Sequence, residues 1–225
     1  MMDIDIEALL LAARADNIPA GWSGLWYIRK DTFAVPTPGV RGKESVVLDP
    51  GTYTYLRTLT DSSIFDSPPG ELVMEDSIHE LRSHLQFMLQ AYGDVLITGL
   101  GLGCVVRGVL ANPNVRSVLC IEKSNDVLNL VRRYMDQKNL TIIRADALDW
   151  TLNNTQKFDC AWHDLWFDND KKGLHLDLWH AQLIHNCRDF VKWQGAWNTD
   201  RTIRKFMEGR GIRLSPRVRL KEKTW

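Results

Sequence analysis

The chain has 225 residues and is long enough to bury the core of one main domain with an appendage. Lys plus Arg and Asp plus Glu each number 28, so the formal net charge is zero. This balance argues against a protein whose main function is to bind nucleic acid or an anionic membrane. No apolar run approaches the roughly 20 residues of a membrane span, and the acidic start does not fit a signal peptide. We therefore expect a cytoplasmic protein.

The cysteines and histidines predict neither a disulfide frame nor a metal site. Four cysteines occur without any CxxC pair, namely Cys104, Cys120, Cys160 and Cys187. They read as reduced core residues. Three histidines of a predicted helix stand five residues apart, so they do not share one helix face as ligands at i and i+4 would.

The N-terminal part, residues 1–76, is predicted to be a helix followed by a small antiparallel β section. The helix covers about residues 3–16. Four β-rich runs follow, at 25–34, 45–48, 52–59 and 71–74. Turn-forming Pro and Gly residues separate them, including the stretch 36–39.

Residues 77–225 are predicted to form an α/β domain, because helical and apolar strand patterns alternate there. Helices are predicted at 77–91, 104–110, 126–135, 174–190 and 202–208, and strands at 95–98, 117–121, 141–144, 158–162 and 192–197. Buried strands joined by helices form parallel sheets covered on both faces, with right-handed connections. We therefore expect a doubly wound, Rossmann-like sheet.

A glycine-rich loop directly after the strand at 95–98 carries the sharpest signal. Gly99, Leu100, Gly101 and Gly103 form a GxGxG loop in which backbone can approach a ligand closely. A dinucleotide-binding loop has the spacing GxGxxG, and its third glycine would fall on Cys104. The loop therefore favours a nucleoside ligand without pyrophosphate; the alternative is a tight strand–helix turn without a ligand.

Acidic residues close the next two strands. Glu122, followed by Lys123, can accept hydrogen bonds from both ribose hydroxyls of a nucleoside; the alternative is a solvated acid. Asp146 can accept a hydrogen bond from the exocyclic amine of adenine, while the N–H of Ala147 donates one to a ring nitrogen. The alternative for Asp146 is an N-cap for a helix that begins near Leu148.

The strand at 158–162 ends in His163 and Asp164, where groups facing the reactive end of the ligand are expected. A histidine beside an aspartate can do acid/base work, although neighbours on a strand point to opposite faces. The alternative for His163 is a satisfied buried histidine. Tryptophans cluster near the strand ends, and one of them, Trp166, is predicted to contact substrate; core packing is the alternative. The basic tail, 213–223, is expected to be solvated.

Taken in this order, these elements resemble the class I S-adenosylmethionine-dependent methyltransferases over about residues 45–168. The chain is most similar to the spermidine synthase branch, and to its small members in phages and bacteria. Like that branch, it lacks an acidic residue at the position of Ile97. The stretch Ile78-His79-Glu80 is similar to the branch's Ile-Tyr-His-Glu stretch, so the resemblance implies that His79 and Glu80 bind substrate.

Three departures distinguish the chain from the aminopropyl-transferring members of that branch. Leu102 stands where their glycine loop has an acidic residue, and the second aspartate of their Asp-Ser-Ser-Asp-Pro stretch is displaced to Asp168. Few residues follow Phe190, so we expect a sheet shortened at its C-terminal end. These departures favour methyl transfer over aminopropyl transfer as the predicted reaction.

The sequence thus predicts an enzyme that uses S-adenosyl-L-methionine to methylate an unidentified small molecule or protein. Asp164 and His163 are the predicted catalytic residues, and Asp164 is also expected to touch the cofactor. Aminopropyl transfer and a non-catalytic nucleoside-binding module stay open as alternatives. No nucleic acid or membrane partner is expected, and a homodimer is left open.

Overall fold

A computed structural model describes residues 4–41, 44–59, 72–165, 174–197 and 209–212. Its helices are α1 (Ile6–Ala12), α2 (Ile78–Gln90), α3 (Cys104–Ala111), α4 (Asn125–Val131), α5 (Ala147–Asn153) and α6 (Leu174–Cys187). Its strands are β1 (Gly21–Ser23), β2 (Trp26–Phe33), β3 (Thr37–Arg41), β4 (Glu44–Leu48), β5 (Gly51–Thr58), β6 (Leu72–Glu75), β7 (Gly93–Thr98), β8 (Val115–Glu122), β9 (Leu140–Arg144), β10 (Phe158–His163) and β11 (Val191–Ala196).

The central sheet has five parallel strands in the order β11-β10-β7-β8-β9. Counted from β9 and numbered within this half, the order is 3-2-1-4-5, which is the start of the doubly wound Rossmann arrangement. The order reverses between β7 and β10, and ligands bind at such a switch point beyond the carboxyl ends of the strands. The predicted Rossmann-like sheet is therefore confirmed.

Alternating side chains of the strands cover both faces of this sheet. Val95 and Ile97 of β7 belong to one apolar cluster, which also contains Leu81 of α2 and Val106 of α3. Leu96, between them, belongs to a second cluster on the side of α5 and α6. Successive side chains of a strand point to opposite faces, so helices on both faces are what this apolar run requires.

The predicted N-terminal antiparallel section is confirmed as two sheets. β1, β2, β5 and β6 form a four-stranded sheet, and β3 and β4 form a hairpin. The turn predicted at 36–39 is wrong, because Pro38 lies inside β3 opposite Val47. A two-stranded ladder leaves one edge of each strand unpaired, which accommodates the missing N–H of proline.

The helices also differ from the sequence prediction in their length and number. α1 covers 6–12 rather than 3–16, and α4 ends at Val131 in a 3₁₀ turn, Arg132–Tyr134. The helix predicted at 202–208 and the basic tail lie outside the described residues, so the expected C-terminal shortening stays a prediction. All four cysteines are buried and free. Within the described ranges, no helix is long and apolar enough to cross a membrane.

The N-terminal elements pack directly on the α/β half. Leu9 of α1 lies in the same apolar cluster as Leu81 and Val106. The buried carboxylate of Asp76 accepts hydrogen bonds from the backbone N–H groups of Ala15 (3.1 Å) and Thr54 (2.7 Å), which ties α1 to β5. The division of the chain at residue 76 stays a prediction, and the apolar core is continuous across it.

Candidate functional site

A cleft of about 300 Å³ lies at the carboxyl ends of β7, β8, β9 and β10. Its lining includes seven residues that the sequence analysis singled out: Gly99, Gly101, Glu122, Lys123, Asp146, Ala147 and Asp164. They come from four separate strand ends, which the strand order brings to one edge of the sheet. The N-terminal sheet contributes a further wall, made of Trp26, Leu56 and Val73.

The glycine loop needs its glycines at two points of close approach. Gly99 and Gly101 have φ values of 93° and 52°, a region that L side chains rarely adopt. A side chain at Gly99 would collide with the carbonyl oxygen of Asp164. The loop therefore lies directly against the end of β10, on the other side of the switch point.

Two other loop residues do not line the cleft. Leu100 is buried, and only its backbone N–H points to the site, where it donates to Glu122 Oε2 at 2.9 Å. Gly103 caps α3 and packs against Met135. The ligand contact predicted for Gly103 thus lacks support from the cleft geometry, which favours the alternative of a tight strand–helix turn at this residue.

Glu122 is held by backbone donors on both of its oxygens. Oε2 accepts from the Leu100 N–H at 2.9 Å, and Oε1 accepts from the Ser124 N–H at 2.7 Å. Burial raises the pKa of Glu122, and the surrounding backbone N–H groups oppose that rise. The backbone N–H groups of Lys123 and Gly101 also act on this carboxylate, so backbone donors from both the glycine loop and the end of β8 surround it.

Asp146 has the N-cap role that the sequence offered as an alternative, and its contact with adenine stays a prediction. Its Oδ1 accepts from the Leu148 N–H at 2.9 Å and caps α5, while its Oδ2 pairs with Lys123 Nζ at 2.7 Å. Burial acts to raise the pKa of Asp146, but the hydrogen bonds from Lys123 and Leu148 outweigh it and lower the pKa. Asp146 is therefore an ionised acceptor at the rim of the cleft.

Asp164 belongs to a small cluster of polar side chains that reaches behind the cleft wall. His84 Nε2 lies 3.9 Å from Asp164 Oδ2 and 3.4 Å from Glu80 Oε1. The imidazole is 1% exposed, and its edge meets Trp162 at a centroid distance of 5.8 Å. No sequence motif marks His84, because its proximity to Asp164 arises only when α2 packs beside the end of β10.

The two residues of the Ile-His-Glu stretch do not line the cleft. Glu80 lies behind the cleft wall, where its Oε1 is 3.4 Å from His84 Nε2. His79 points elsewhere, and its Nε2 lies 3.2 Å from the carbonyl oxygen of Val47 in β4. A substrate contact of either side chain therefore stays a prediction.

His163 is enclosed by the core although it precedes Asp164. It has no exposed surface, and its Nδ1 and Nε2 lie 3.0 Å from Thr98 Oγ1 and 3.0 Å from Gln194 Oε1. The Gln194 amide donates to the Ile184 carbonyl, so its oxygen accepts from His163. Burial lowers the pKa of His163 to about 4. This geometry favours the alternative of a satisfied core histidine, and an acid/base role of His163 stays a prediction.

Most of the described tryptophans serve packing rather than the cleft. Trp162 stacks on Phe87 at 5.0 Å, and Trp193 meets the same ring at 5.5 Å. Trp166, predicted to contact substrate, lies outside the described residues. The tryptophan that lines the cleft is Trp26, which no motif marks. Among the described residues, no group of three or more His, Cys, Asp or Glu side chains could hold a metal ion.

Comparisons with known proteins give likenesses of fold alone. No protein-family model and no curated protein matches the chain. Spermidine synthase from Thermotoga maritima is similar with 19% identity and a TM-score of 0.44, over 78% of this chain and 53% of that one. A spermidine synthase in complex with the transition-state analogue AdoDATO has 20% identity and a TM-score of 0.46, over 78% and 54%.

A methyltransferase shows a similar degree of likeness. Precorrin-6y C5,15-methyltransferase from Geobacter metallireducens has 15% identity and a TM-score of 0.45, over 67% of this chain and 78% of that one. The chain spans about half the length of the two spermidine synthases.

Proposed function

We propose that the protein is an S-adenosylmethionine-dependent methyltransferase that acts on a small molecule or a protein side chain. The observation that carries the proposal is the cleft at the switch point of the sheet. There Glu122, Asp146 and Asp164 surround the glycine backbone of the loop after β7. Parallel sheets of this order bind nucleotides at that point, and the GxGxG spacing favours a ligand without pyrophosphate.

The residues of the cleft fit the parts of this cofactor. Glu122 lines the cleft and is the acceptor that we assign to the ribose hydroxyls. Asp146 and the N–H of Ala147 suit the edge of adenine, with Lys123 sharing the Asp146 carboxylate. Gly99 and Gly101 line the cleft between Glu122 and Asp164, and we assign the methionine part of the ligand to this side.

Asp164 is the residue that we assign to the acceptor. Bound S-adenosylmethionine supplies an activated methyl group, so the main task of the protein is to align the acceptor with it. Asp164 can orient the acceptor or remove its proton. His84 lies directly behind this carboxylate, at 3.9 Å from Oδ2, and limits the positions that the carboxylate can take.

Calorimetry with purified protein tests the ligand class. We expect S-adenosylmethionine and S-adenosylhomocysteine to bind with micromolar-range affinity, which corresponds to about 8 kcal/mol of binding free energy. NAD serves as the control and should give no heat of binding. Binding of NAD in the absence of any heat from the two sulfur-containing nucleosides would contradict the proposal.

Aminopropyl transfer to an amine is the second candidate function. It is favoured by the carboxylates of Glu80 and Asp164, whose side chains are each 12% exposed and flank His84. The negative charge of Asp164 in the cleft, with Glu80 behind it, suits a cationic acceptor. An assay with decarboxylated S-adenosylmethionine and a diamine separates the candidates, since only aminopropyl transfer yields a lengthened polyamine.

Two substitutions separate an enzyme from a module that only binds the nucleoside. In an enzyme, Asp164→Asn keeps most of the cofactor affinity and slows turnover by about 10²–10⁴-fold, the usual cost of losing a positioned acid or base. Asp146→Asn is the matched control and weakens binding first. Turnover is followed as transfer of label from the cofactor to cell extract. If no component of the extract takes label from the wild type, the protein is better described as a non-catalytic nucleoside-binding module than as an enzyme.

A further inference from the structure

We infer that Trp26, from the N-terminal sheet, is a binding residue for the adenosine part of the ligand. The inference rests on the proposed function, because it takes S-adenosylmethionine as the ligand of the cleft. Trp26 lies at the start of β2, about a hundred residues before Glu122 in the chain. It nevertheless lines the cleft together with Glu122, Ser124 and Val127.

The position of Trp26 indicates that it contacts the adenosine part of the ligand rather than its reacting end. Its cleft neighbours Glu122 and Ser124 are the residues that close β8 and lead into α4. Glu122 is the residue proposed to hold the ribose, whereas Asp164 at the end of β10 is proposed to face the acceptor. An aromatic face beside the ribose site can pack on the nucleoside, since every base has a π-face on which a ring can stack.

The hairpin of β1 and β2 is fixed to α4, so the tryptophan belongs to a preformed wall. Ser23 Oγ donates to Asp126 Oδ1 at 2.8 Å, and Asn129 Nδ2 donates to Ser23 Oγ at 3.3 Å. Gly24, at the hairpin turn, lies so close to Asp126 that a side chain there would collide with its carboxylate. A wall that is already ordered costs the ligand little conformational entropy on binding.

Packing alone does not account for the placement of Trp26. The side chain is only partly buried and packs on the edge of the main apolar cluster, while another part of it faces the cleft. Its hairpin neighbour Trp22 is 82% exposed and does not line the cleft. The two tryptophans therefore form a matched pair on one hairpin, in which one reaches the cleft and the other does not.

Calorimetry on the full chain tests the inference, with S-adenosylmethionine and S-adenosylhomocysteine as probes. Trp26→Ala should weaken both by roughly tenfold to a hundredfold, the range for loss of one base–aromatic stack. Trp26→Phe should retain most of the affinity, because it keeps an aromatic face. Trp22→Ala should leave both affinities unchanged. Circular dichroism verifies the fold, and Trp26→Leu, which keeps apolar bulk, replaces Trp26→Ala if that variant unfolds.

The possible results distinguish this inference from the function on which it rests. Unchanged affinity in Trp26→Ala, or in Trp26→Leu where that variant replaces it, overturns the inference and leaves the proposed function standing. A loss confined to S-adenosylmethionine places Trp26 at the sulfonium and overturns the adenosine assignment. If the wild type binds neither probe, the proposed function and this inference fall together.

Discussion

Glu122 is held in place by the two elements on either side of it. Its carboxylate joins the end of β8 to the glycine loop through the Leu100 N–H and to the start of α4 through the Ser124 N–H. These bonds fix its position before a ligand binds. A preset acceptor needs little reorganisation on binding, so Glu122 is suited to anchor the ribose.

The affinity of Glu122→Ala for S-adenosylmethionine measures this role. A hydrogen bond to a charged acceptor contributes about 1.5–3 kcal/mol, and the two ribose hydroxyls that share this carboxylate should together contribute at least that much, so Glu122→Ala should weaken binding by at least roughly tenfold to several hundredfold. Asp159→Ala is the control, since it removes a carboxylate of similar burial (14% exposed) at the opposite end of the sheet. Equal affinities of Glu122→Ala and wild type by calorimetry would remove Glu122 from the site.

The sequence predicted the cleft residues that follow the strands of the parallel sheet. It could not predict the residues that come near the cleft only because other elements pack there. Glu122 and Asp146 follow strands, and every strand of a parallel sheet ends at the same edge. Trp26 and His84 reach the cleft only through the docking of a separate sheet and of α2. Their distance along the chain from the glycine loop carries no information about that docking.

At the scale of elements, the strands of the parallel sheet were predicted, and the sequence missed β1 and β3 in the N-terminal part. β1 has three residues, which is too few to repeat a pattern that stands out. In β3, Pro38 and Gly39 favour a turn locally, yet pairing with β4 overrides that preference. Tertiary contacts decide the structure where the local signal is short or mixed.

Two buried histidines join β10, α6 and β11 and make the stability of these elements dependent on pH. His163 bridges to Gln194 of β11, and His180 of α6 accepts from the Leu165 N–H at 3.1 Å. Burial lowers the pKa of His163 to about 4 and that of His180 to about 3. In the unfolded chain these histidines take up protons near pH 6.5. The stability that the two neutral histidines contribute is therefore fully present above pH 6.5 and is lost as the pH falls towards 4.

The pH slope of unfolding tests this arrangement. Below pH 6.5, each such histidine contributes a slope of about 1 kcal/mol per pH unit to the free energy of unfolding. Urea titrations at pH 6 and pH 5 should therefore show a smaller loss of stability for His163→Gln than for the wild type. Leu183→Ala, a buried substitution without a titrating group, should lower stability equally at both pH values. An identical slope in His163→Gln and wild type would show that His163 is protonated in the folded state.

At the scale of the whole molecule, the cleft depends on both halves of the chain. Strand ends of the parallel sheet supply its polar groups, and the N-terminal sheet supplies Trp26, Leu56 and Val73. The same two halves share one apolar cluster, in which Leu9 of α1 lies with Val106 of α3. Shared burial couples the two parts energetically, because neither half can expose this surface to water without cost.

This coupling predicts that a substitution in α1 destabilises the parallel sheet. Leu9 is 2% exposed, and truncation of a buried leucine to alanine costs about 2–5 kcal/mol. Leu9→Ala should shift the urea midpoint of the whole protein in a single transition, with protection of the β7 and β8 amides falling by the same free energy in native-state hydrogen exchange.

A matched control lies on the same helix, since Leu11 is 63% exposed and surface substitutions usually change stability by less than about 0.5 kcal/mol. Leu11→Ala should therefore keep the wild-type midpoint. If Leu9→Ala loses protection in residues before 76 while the β7 amides keep theirs, the N-terminal part unfolds on its own. The cleft would then gain or lose its Trp26 wall independently of the glycine loop, and ligand affinity would fall with the population of the docked N-terminal sheet.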